Sequence, residues 1–422
     1  MTLSGTGSDG DLAKITFGRY ERYINPGMAQ LVKFMGFEGV EVGSEGCYVR
    51  TSEGERYLDC LGGPGVFSMG HSPQPIVARV RAQLEAMPLS SHILLNPVTA
   101  ELAERLAAAT PGDLQYIFFC NSGAEAVEGA LKAARAYTGR SEFVAAFGGF
   151  HGKTFGALSA SGRETYRTPF EPLVPGFAHV PFGDAEALAG AVNEQTAAVI
   201  LEPIQGEAGI IIPPDGYLRR AREICDAAGA LLILDEIQTG LARTGSMWAC
   251  EREGVVPDIM TMGKALGGGV MPLGAFIARP DVWSIFEENP YLHTSTFGGN
   301  PMACAAGLAA LDFIEEHDLC AAATARGEQL RAGLERVAGE HEDVIEDVRG
   351  IGLLVGVQFS HDDIAGLIIA GLAGRNILAA YGLNNPGTIR FEPPLIISEE
   401  QVEEVIDAFA HAVAGTVAML EE

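Results

Sequence analysis

Ala230-Leu231-Leu232-Ile233-Leu234 has no polar face. A run so short and so uniformly apolar leaves no room for an amphipathic helix. It reads as a strand buried on both sides, as in a parallel sheet covered by helices. The run ends at Asp235-Glu236-Ile237-Gln238-Thr239-Gly240, so a carboxylate stands where a parallel strand gives out. A second apolar piece, Ile259 to Met262, leads into Gly263-Lys264-Ala265-Leu266-Gly267-Gly268-Gly269. There one lysine sits among glycines that let a ligand approach the backbone closely. Ligands of open α/β sheets bind at the carboxyl ends of the strands, which is where both residues fall.

The same alternation extends through the chain. Gln115–Cys120, Glu142–Ala146 and Ala197–Leu201 read as further strands, and Tyr217–Ala228 as a helix. Val127, Ala130, Leu131 and Ala134 fall on one face of another helix. The fold class implied is α/β, with a large, doubly wound, mostly parallel sheet. Ahead of it, residues 1–11 read as a frayed tail, and Ile15–Phe37 as a mixed stretch with a turn at Asn25-Pro26-Gly27. Val40–Leu61 reads as a hairpin turning at Ser52-Glu53-Gly54-Glu55, with helices following at Pro75–Met87 and Thr99–Ala109. After Asn300-Pro301 come an alanine-rich helix to about His317, a helix Ala321–Glu340, a strand-like Leu353–Gln358 and a helix Glu399–Met419. The expected division is an N-terminal segment, 1–61, joining a smaller α+β domain, 301–422, with a large domain, 62–300, between them.

Composition narrows the class of partner. A formal charge of −27 repels phosphate backbones, which argues against nucleic acid. The seven cysteines are odd in number and form no CxxC pair, so buried free thiols are expected and neither a disulfide frame nor a metal site is indicated. Met1–Asp11 lacks the basic and apolar regions of a signal peptide, and Ile364–Gly374 is too short and too glycine-broken to span a membrane. The expected location is the cytoplasm.

One Asp and one Lys at the ends of neighbouring buried strands suit a cofactor whose two reactive ends need opposite handling. Pyridoxal phosphate is such a cofactor: its aldehyde condenses with a lysine, and its ring nitrogen is kept protonated by a carboxylate. Other stretches are compatible with it. Asn121-Ser122-Gly123-Ala124 turns from a strand into a helix, where free N–H groups and the helix dipole favour an anion. Phe150-His151-Gly152 offers an aromatic beside glycines. Glu202-Pro203-Ile204-Gln205-Gly206-Glu207 places carboxylates after a strand, and Thr294–Pro301 gathers hydroxyls and glycines. Arg390 stands in an otherwise apolar, strand-like piece, where a guanidinium suits a carboxylate. Singly, each has an ordinary alternative: a helix cap, a core aromatic, a polar loop, a structural ion pair.

As a set, NSGAEAVEGALKAAR, FHGKTFGALSASGR, LEPIQGEAGIIIPPDGY, LILDEIQTGLARTG, GKALGGGVMPLGA, STFGGNP and TIRFEPP resemble the class III (ω-) aminotransferases of the type I pyridoxal-phosphate fold. The resemblance runs from about Tyr23 onward. Within the class the chain looks most like putrescine (diamine) aminotransferases, through KTFGALSASGR, RTPFEPLVPGFAHVPFG, KALGGGVMPLGA and LNNPGTIRFEPPL. The resemblance implies pyridoxal phosphate carried on Lys264, which then shuttles a proton. It implies Asp235 on the ring nitrogen, Gln238 on the ring hydroxyl, Phe150 stacked on the ring, and Ser122, Gly123 and Ala124 on the phosphate. Ala124 stands where many members have Thr, so one hydroxyl is missing there. Thr296 would reach the phosphate of a neighbouring subunit, implying a homodimer with shared sites, with pairing into a tetramer left open. Arg390 would take the α-carboxylate of 2-oxoglutarate or glutamate, with Glu207 as the gate that covers it when the donor amine has none. Acetylornithine, ornithine and 4-aminobutyrate aminotransferases share these cofactor motifs. A decarboxylase or aminomutase on the same fold would need no second substrate. A pyridoxal-phosphate-binding regulator would carry a nucleic-acid-binding domain.

Overall fold

Three short strands, β1 (Glu41–Glu45), β2 (Tyr48–Thr51) and β3 (Arg56–Asp59), form an antiparallel meander, with the β2–β3 turn where the sequence placed it. They belong to a computed structural model that describes residues 9–37 and 39–421. The tail expected at residues 1–8 lies outside the described residues. From Asp9 the expectation fails: Asp9–Tyr23 is a helix, and Pro26–Phe34 is a second one. Asn25-Pro26-Gly27 is a helix start, not a free turn. Asn25 accepts hydrogen bonds from the N–H groups of Gly27 and Met28, and Pro26 occupies the first helical position, where its missing N–H costs nothing.

The large sheet holds β4 (Tyr116–Cys120), β5 (Glu142–Ala146), β6 (Phe177–Val180), β7 (Thr196–Leu201), β8 (Leu231–Asp235), β9 (Ile259–Met262) and β10 (Gly274–Ala278). Its order is β4-β10-β9-β8-β7-β5-β6. All strands are parallel except β10, which runs antiparallel to both β4 and β9. Every residue of β7, β8, β9 and β10 is buried. That explains their largely apolar sequences, since a strand covered on both faces admits a polar side chain only where a partner meets it, as at Asp235 and Thr261. β8 and β9 are direct neighbours, with Asp235 opposite Thr261, so the two strand ends carrying Asp235 and the Lys264 loop open on the same edge.

The C-terminal part builds a second, antiparallel sheet from β11 (Ile345–Ile351), β12 (Leu354–Phe359), β14 (Ala380–Gly382) and β15 (Asn385–Phe391), in the order β11-β12-β15-β14. The intervening β13 (Ile377–Leu378) instead pairs parallel with β3 and completes the N-terminal sheet. Helices Leu319–Glu340, Asp362–Ala373 and Glu399–Glu421 pack on this part. Helix Pro301–Glu316, capped by Asn300, lies against Gln74–Ala86 and Pro97–Ala109. All seven cysteines are free, and six are buried. No described helix is long and apolar enough to cross a membrane.

Candidate active site

Asp235 ends β8 with 3 % of its surface exposed, and its carboxylate is held from two sides. Oδ1 accepts from the Thr261 hydroxyl on β9 and from the Ile237 N–H, both at 3.1 Å. Oδ2 lies 2.7 Å from His151 Nδ1. Burial by itself would lower the His151 pKa, but the hydrogen bond and charge of Asp235, joined by the charge of Glu202, raise it above the ordinary value. The imidazole is thereby kept as a proton donor to Asp235. Nothing in the sequence around Phe150-His151 announced this pairing, because the two partners lie on different strand-end loops.

Glu202, just past β7, ties that layer together. Its Oε1 accepts from the Phe150 N–H at 2.9 Å and its Oε2 from the Gly206 N–H at 3.2 Å. Burial raises its pKa to about 7, against the pull of His151. Phe150, half-buried, is thus fixed at its backbone by a carboxylate.

Lys264 follows β9 with φ of 48°, a left-handed conformation rare for a residue with a side chain. Its surroundings desolvate the ammonium and lower its pKa, although the charges of Glu392 and Glu207 act in the opposite sense. An amine so placed is easier to deprotonate than a surface lysine. The loop also touches the start of helix Gly123–Thr138: a Cβ built on Gly263 would come within 3.3 Å of the Gly123 Cα. At that helix start the N–H groups of Gly123 and Ala124 have no acceptor among the described residues, as the first turn of any helix leaves them. Ser122 caps the helix by accepting from the Glu125 N–H at 3.2 Å, and Glu125 reaches back to the Asn121 N–H at 2.7 Å.

The third group of predicted residues meets in one buried network. Arg390 Nη1 donates to Glu207 Oε1 at 3.1 Å and to Glu392 Oε1 at 2.9 Å. Gln238 Nε2 donates to both oxygens of Glu392, at 2.8 and 2.9 Å. Glu207 Oε2 accepts from the Leu383 N–H at 2.9 Å, on the β14–β15 turn. Glu392 is fully buried and was not singled out from the sequence. A signal was available: residues two apart along a strand share a face, and Arg390 and Glu392 are two apart at the end of β15. Thr296 joins none of these hydrogen bonds, but its neighbour Ser295 accepts from the Asn121 side chain at 3.2 Å, beside the start of helix Gly123–Thr138. Thr296 is exposed, and its carbonyl lies 2.7 Å from His92 Nε2.

The residues fit pyridoxal phosphate. A helix start with free N–H groups suits its phosphate, and a carboxylate held by the His151 imidazole and the Thr261 hydroxyl suits its ring nitrogen. An easily deprotonated lysine suits its aldehyde. Arg390 Nε, buried without a partner among the described residues, leaves a donor for a substrate carboxylate. Comparison with known proteins agrees. The aminotransferase class-III family model matches residues 39–413. An ornithine aminotransferase from Toxoplasma gondii is 32 % identical with a TM-score of 0.89, over 97 % of this chain and 96 % of that one. An acetylornithine aminotransferase from Elizabethkingia anophelis is 30 % identical with a TM-score of 0.82, over 97 % of this chain and 100 % of that one. An (S)-enantioselective ω-transaminase from Thermomicrobium roseum is 30 % identical with a TM-score of 0.89, over 98 % and 100 %. Sequence match, fold and the strand-end lysine and carboxylate thus converge: the chain belongs to the class III aminotransferases, enzymes that use pyridoxal phosphate to move an amino group from a small-molecule amine to a 2-oxo acid.

Proposed function

We propose that this aminotransferase takes a terminal amino group from a short diamine of the putrescine or cadaverine kind and passes it to 2-oxoglutarate, giving an aminoaldehyde and glutamate. The observation that carries the reading is the buried Arg390–Glu207 pair at 3.1 Å. A diamine brings no α-carboxylate, so an uncovered guanidinium would face it unpaired. Losing a partner from a buried charge pair costs about 3–5 kcal/mol. Glu207 on Arg390 removes that cost in the amine half-reaction and moves aside when the oxo acid brings its own carboxylate. The stretches that resemble diamine aminotransferases support the same donor.

Bound pyridoxal phosphate supplies the electron sink that lets the donor's amine carbon lose a proton. The chain's own residues do the rest. Lys264 would hold the cofactor and then, as a free amine of lowered pKa, accept that proton and deliver it to the opposite end of the reacting bond system. Asp235, oriented by His151 and Thr261, would keep the ring nitrogen protonated. Gln238 would donate to the ring hydroxyl, Phe150 would cover the ring face, and Ser122, Gly123 and Ala124 would receive the phosphate. Thr296 would complete the partner subunit's phosphate site in a homodimer. In this reading the cofactor domain is 62–300, the small domain is 301–422 with 1–61 joined to it, and the enzyme works in the cytoplasm.

The test is a panel of amine donors with 2-oxoglutarate, following glutamate release. Putrescine or cadaverine should lead. Ornithine and acetylornithine belong in the panel because structural neighbours are named for them. If either of these, or 4-aminobutyrate, outpaces every diamine, the diamine reading fails while transamination stands.

A further inference from the structure

We propose that Glu392 sets the charge preference of the donor pocket: held on Arg390 beside Glu207, it gives one guanidinium two carboxylates, and the excess negative charge selects donors whose far end is a second cation. The inference rests on the reading of Arg390 and Glu207 given above.

The geometry makes Glu392 a different kind of partner from Glu207. Glu207 is tied to Arg390 by one oxygen, and its other oxygen takes only the Leu383 N–H. Glu392 is tied to Arg390 and, through both oxygens, to Gln238, and its own N–H donates to the Cys60 carbonyl at 2.7 Å. A Cβ added to Gly65 would meet Glu392 Oε2 at 2.9 Å, so the glycine turn closes over the carboxylate on that side. Glu207 is free to leave by breaking two hydrogen bonds. Glu392 is locked, and its charge stays in both half-reactions. It is ionised: although burial opposes this, Arg390, Lys264, Arg243 and the Gln238 hydrogen bond together hold its pKa below the ordinary carboxyl value.

The charges acting on the Lys264 amine are Glu392, Glu207, Arg390 and Glu202, with Glu392 the strongest of them. Arg243, bonded to the Leu353 and Pro393 carbonyls and to Ser68, acts on Glu392 and is not among the charges that act on the amine. With Glu207 on Arg390, the carboxylates Glu392, Glu207 and Glu202 therefore outnumber Arg390 among the charges felt at the amine, where the donor reacts. An alkylamine with an apolar tail gains nothing from that excess. A diammonium places its distal charge in it. The same locked carboxylate weakens the hold of Arg390 on a dicarboxylate.

The test uses the holoenzyme and the Glu392→Gln variant, which keeps shape and an acceptor for Arg390 but removes the charge. Half-reaction rates are compared for putrescine against 1-aminobutane and for cadaverine against 1-aminopentane. Loss of one unit charge in a pocket of this kind should lower the diamine-to-monoamine ratio of kcat/KM by about tenfold or more, through KM more than kcat. Glu392→Asp should retain the wild-type order, which a purely structural role would not predict. Glutarate binding, followed by calorimetry, is a second readout that needs no turnover, and Glu392→Gln should tighten it several-fold. An unchanged diamine-to-monoamine ratio or an unchanged glutarate affinity overturns the proposal. If Glu392→Gln does not fold, the wild type decides: a distal ammonium must improve the donor over its uncharged analogue, and the reverse order overturns it. Failure of the diamine reading looks different. The donor panel would then put another amine first, while the effect of Glu392 on glutarate would remain to be seen or refuted separately.

Discussion

At the residue scale, Lys264 and Asp235 were legible because the end of a buried strand is a special place in sequence as well as in space. His151 and Glu392 were not, for each acquires its role from a partner far along the chain, Asp235 in one case and Gln238 in the other. Borohydride reduction of the purified protein followed by peptide mapping should place the cofactor label on Lys264, and label on another lysine would end that assignment. Glu207→Ala should slow the diamine half-reaction and spare or improve the glutamate half-reaction, with Arg390→Ala doing the reverse; stopped-flow on each half separately decides, and equal slowing of both by Glu207→Ala would reduce Glu207 to a structural role. Glu202 gives a prediction in pH. Burial raises it to about 7, so the folded chain keeps a proton that the unfolded chain has already released. For a raised carboxyl the folded-state advantage is present at acid pH and is lost as pH climbs from the ordinary carboxyl range through 7. Glu202→Gln cannot titrate. The difference in Tm, variant minus wild type, should therefore rise between pH 5 and pH 8 on the scale set by that shift, and a flat difference in thermal melts would show that Glu202 does not titrate there.

At the scale of elements, short apolar strands declared themselves, whereas β6 and β10 did not. Phe177-Ala178-His179-Val180 is too short and mixed to stand out, and Gly274–Ala278 follows a glycine-rich loop that hides its start. The strand-like piece around Arg390 is β15, but its partner β14 and the turn between them were silent, and that turn holds Glu207. It gives the Leu383 N–H to the Glu207 side chain and the Asn384 N–H to the Glu207 carbonyl at 2.9 Å. The Asn384 side chain donates to the Gly148 carbonyl at 2.7 Å, beside Phe150, while Arg163 and Tyr166 both donate to the Leu383 carbonyl. Glu207 is thus bonded to a loop that is itself pinned beside Phe150. Asn384→Ala removes one such pin, worth about 1 kcal/mol as a net hydrogen bond. It should lower Tm by a few degrees and raise KM for the diamine, with Lys264 chemistry intact as judged by the spectrum of the bound cofactor. Unchanged diamine KM would show that the gate does not depend on the hairpin.

At the scale of the whole molecule, large apolar side chains gather on the surface beside His92. Ile93 is 79 % exposed, Leu94 77 % and Leu95 fully, in the segment that His92 ties to Thr296; Phe297, next to it, is 56 % exposed. A cluster of large apolar side chains on a chain carrying −27 formal charges is a surface that needs covering. The homodimer proposed above would place Thr296 of each subunit in the other's phosphate site, since an isologous interface repeats each contact in reverse. The consequence is testable by complementation. Lys264→Ala lacks the amine in its own site, and a Thr296 variant inactive as a homodimer lacks a group in the site of its neighbour. In a mixed dimer, the subunit bearing the Thr296 substitution still has its own Lys264 and receives an unaltered Thr296 from the Lys264→Ala chain. One of the two sites is then whole. Activity should return on mixing and reach about half of the wild-type value per heterodimer, since one site in two is intact. Purified heterodimers that stay inactive would mean that Thr296 serves its own chain, and that each subunit builds its site alone.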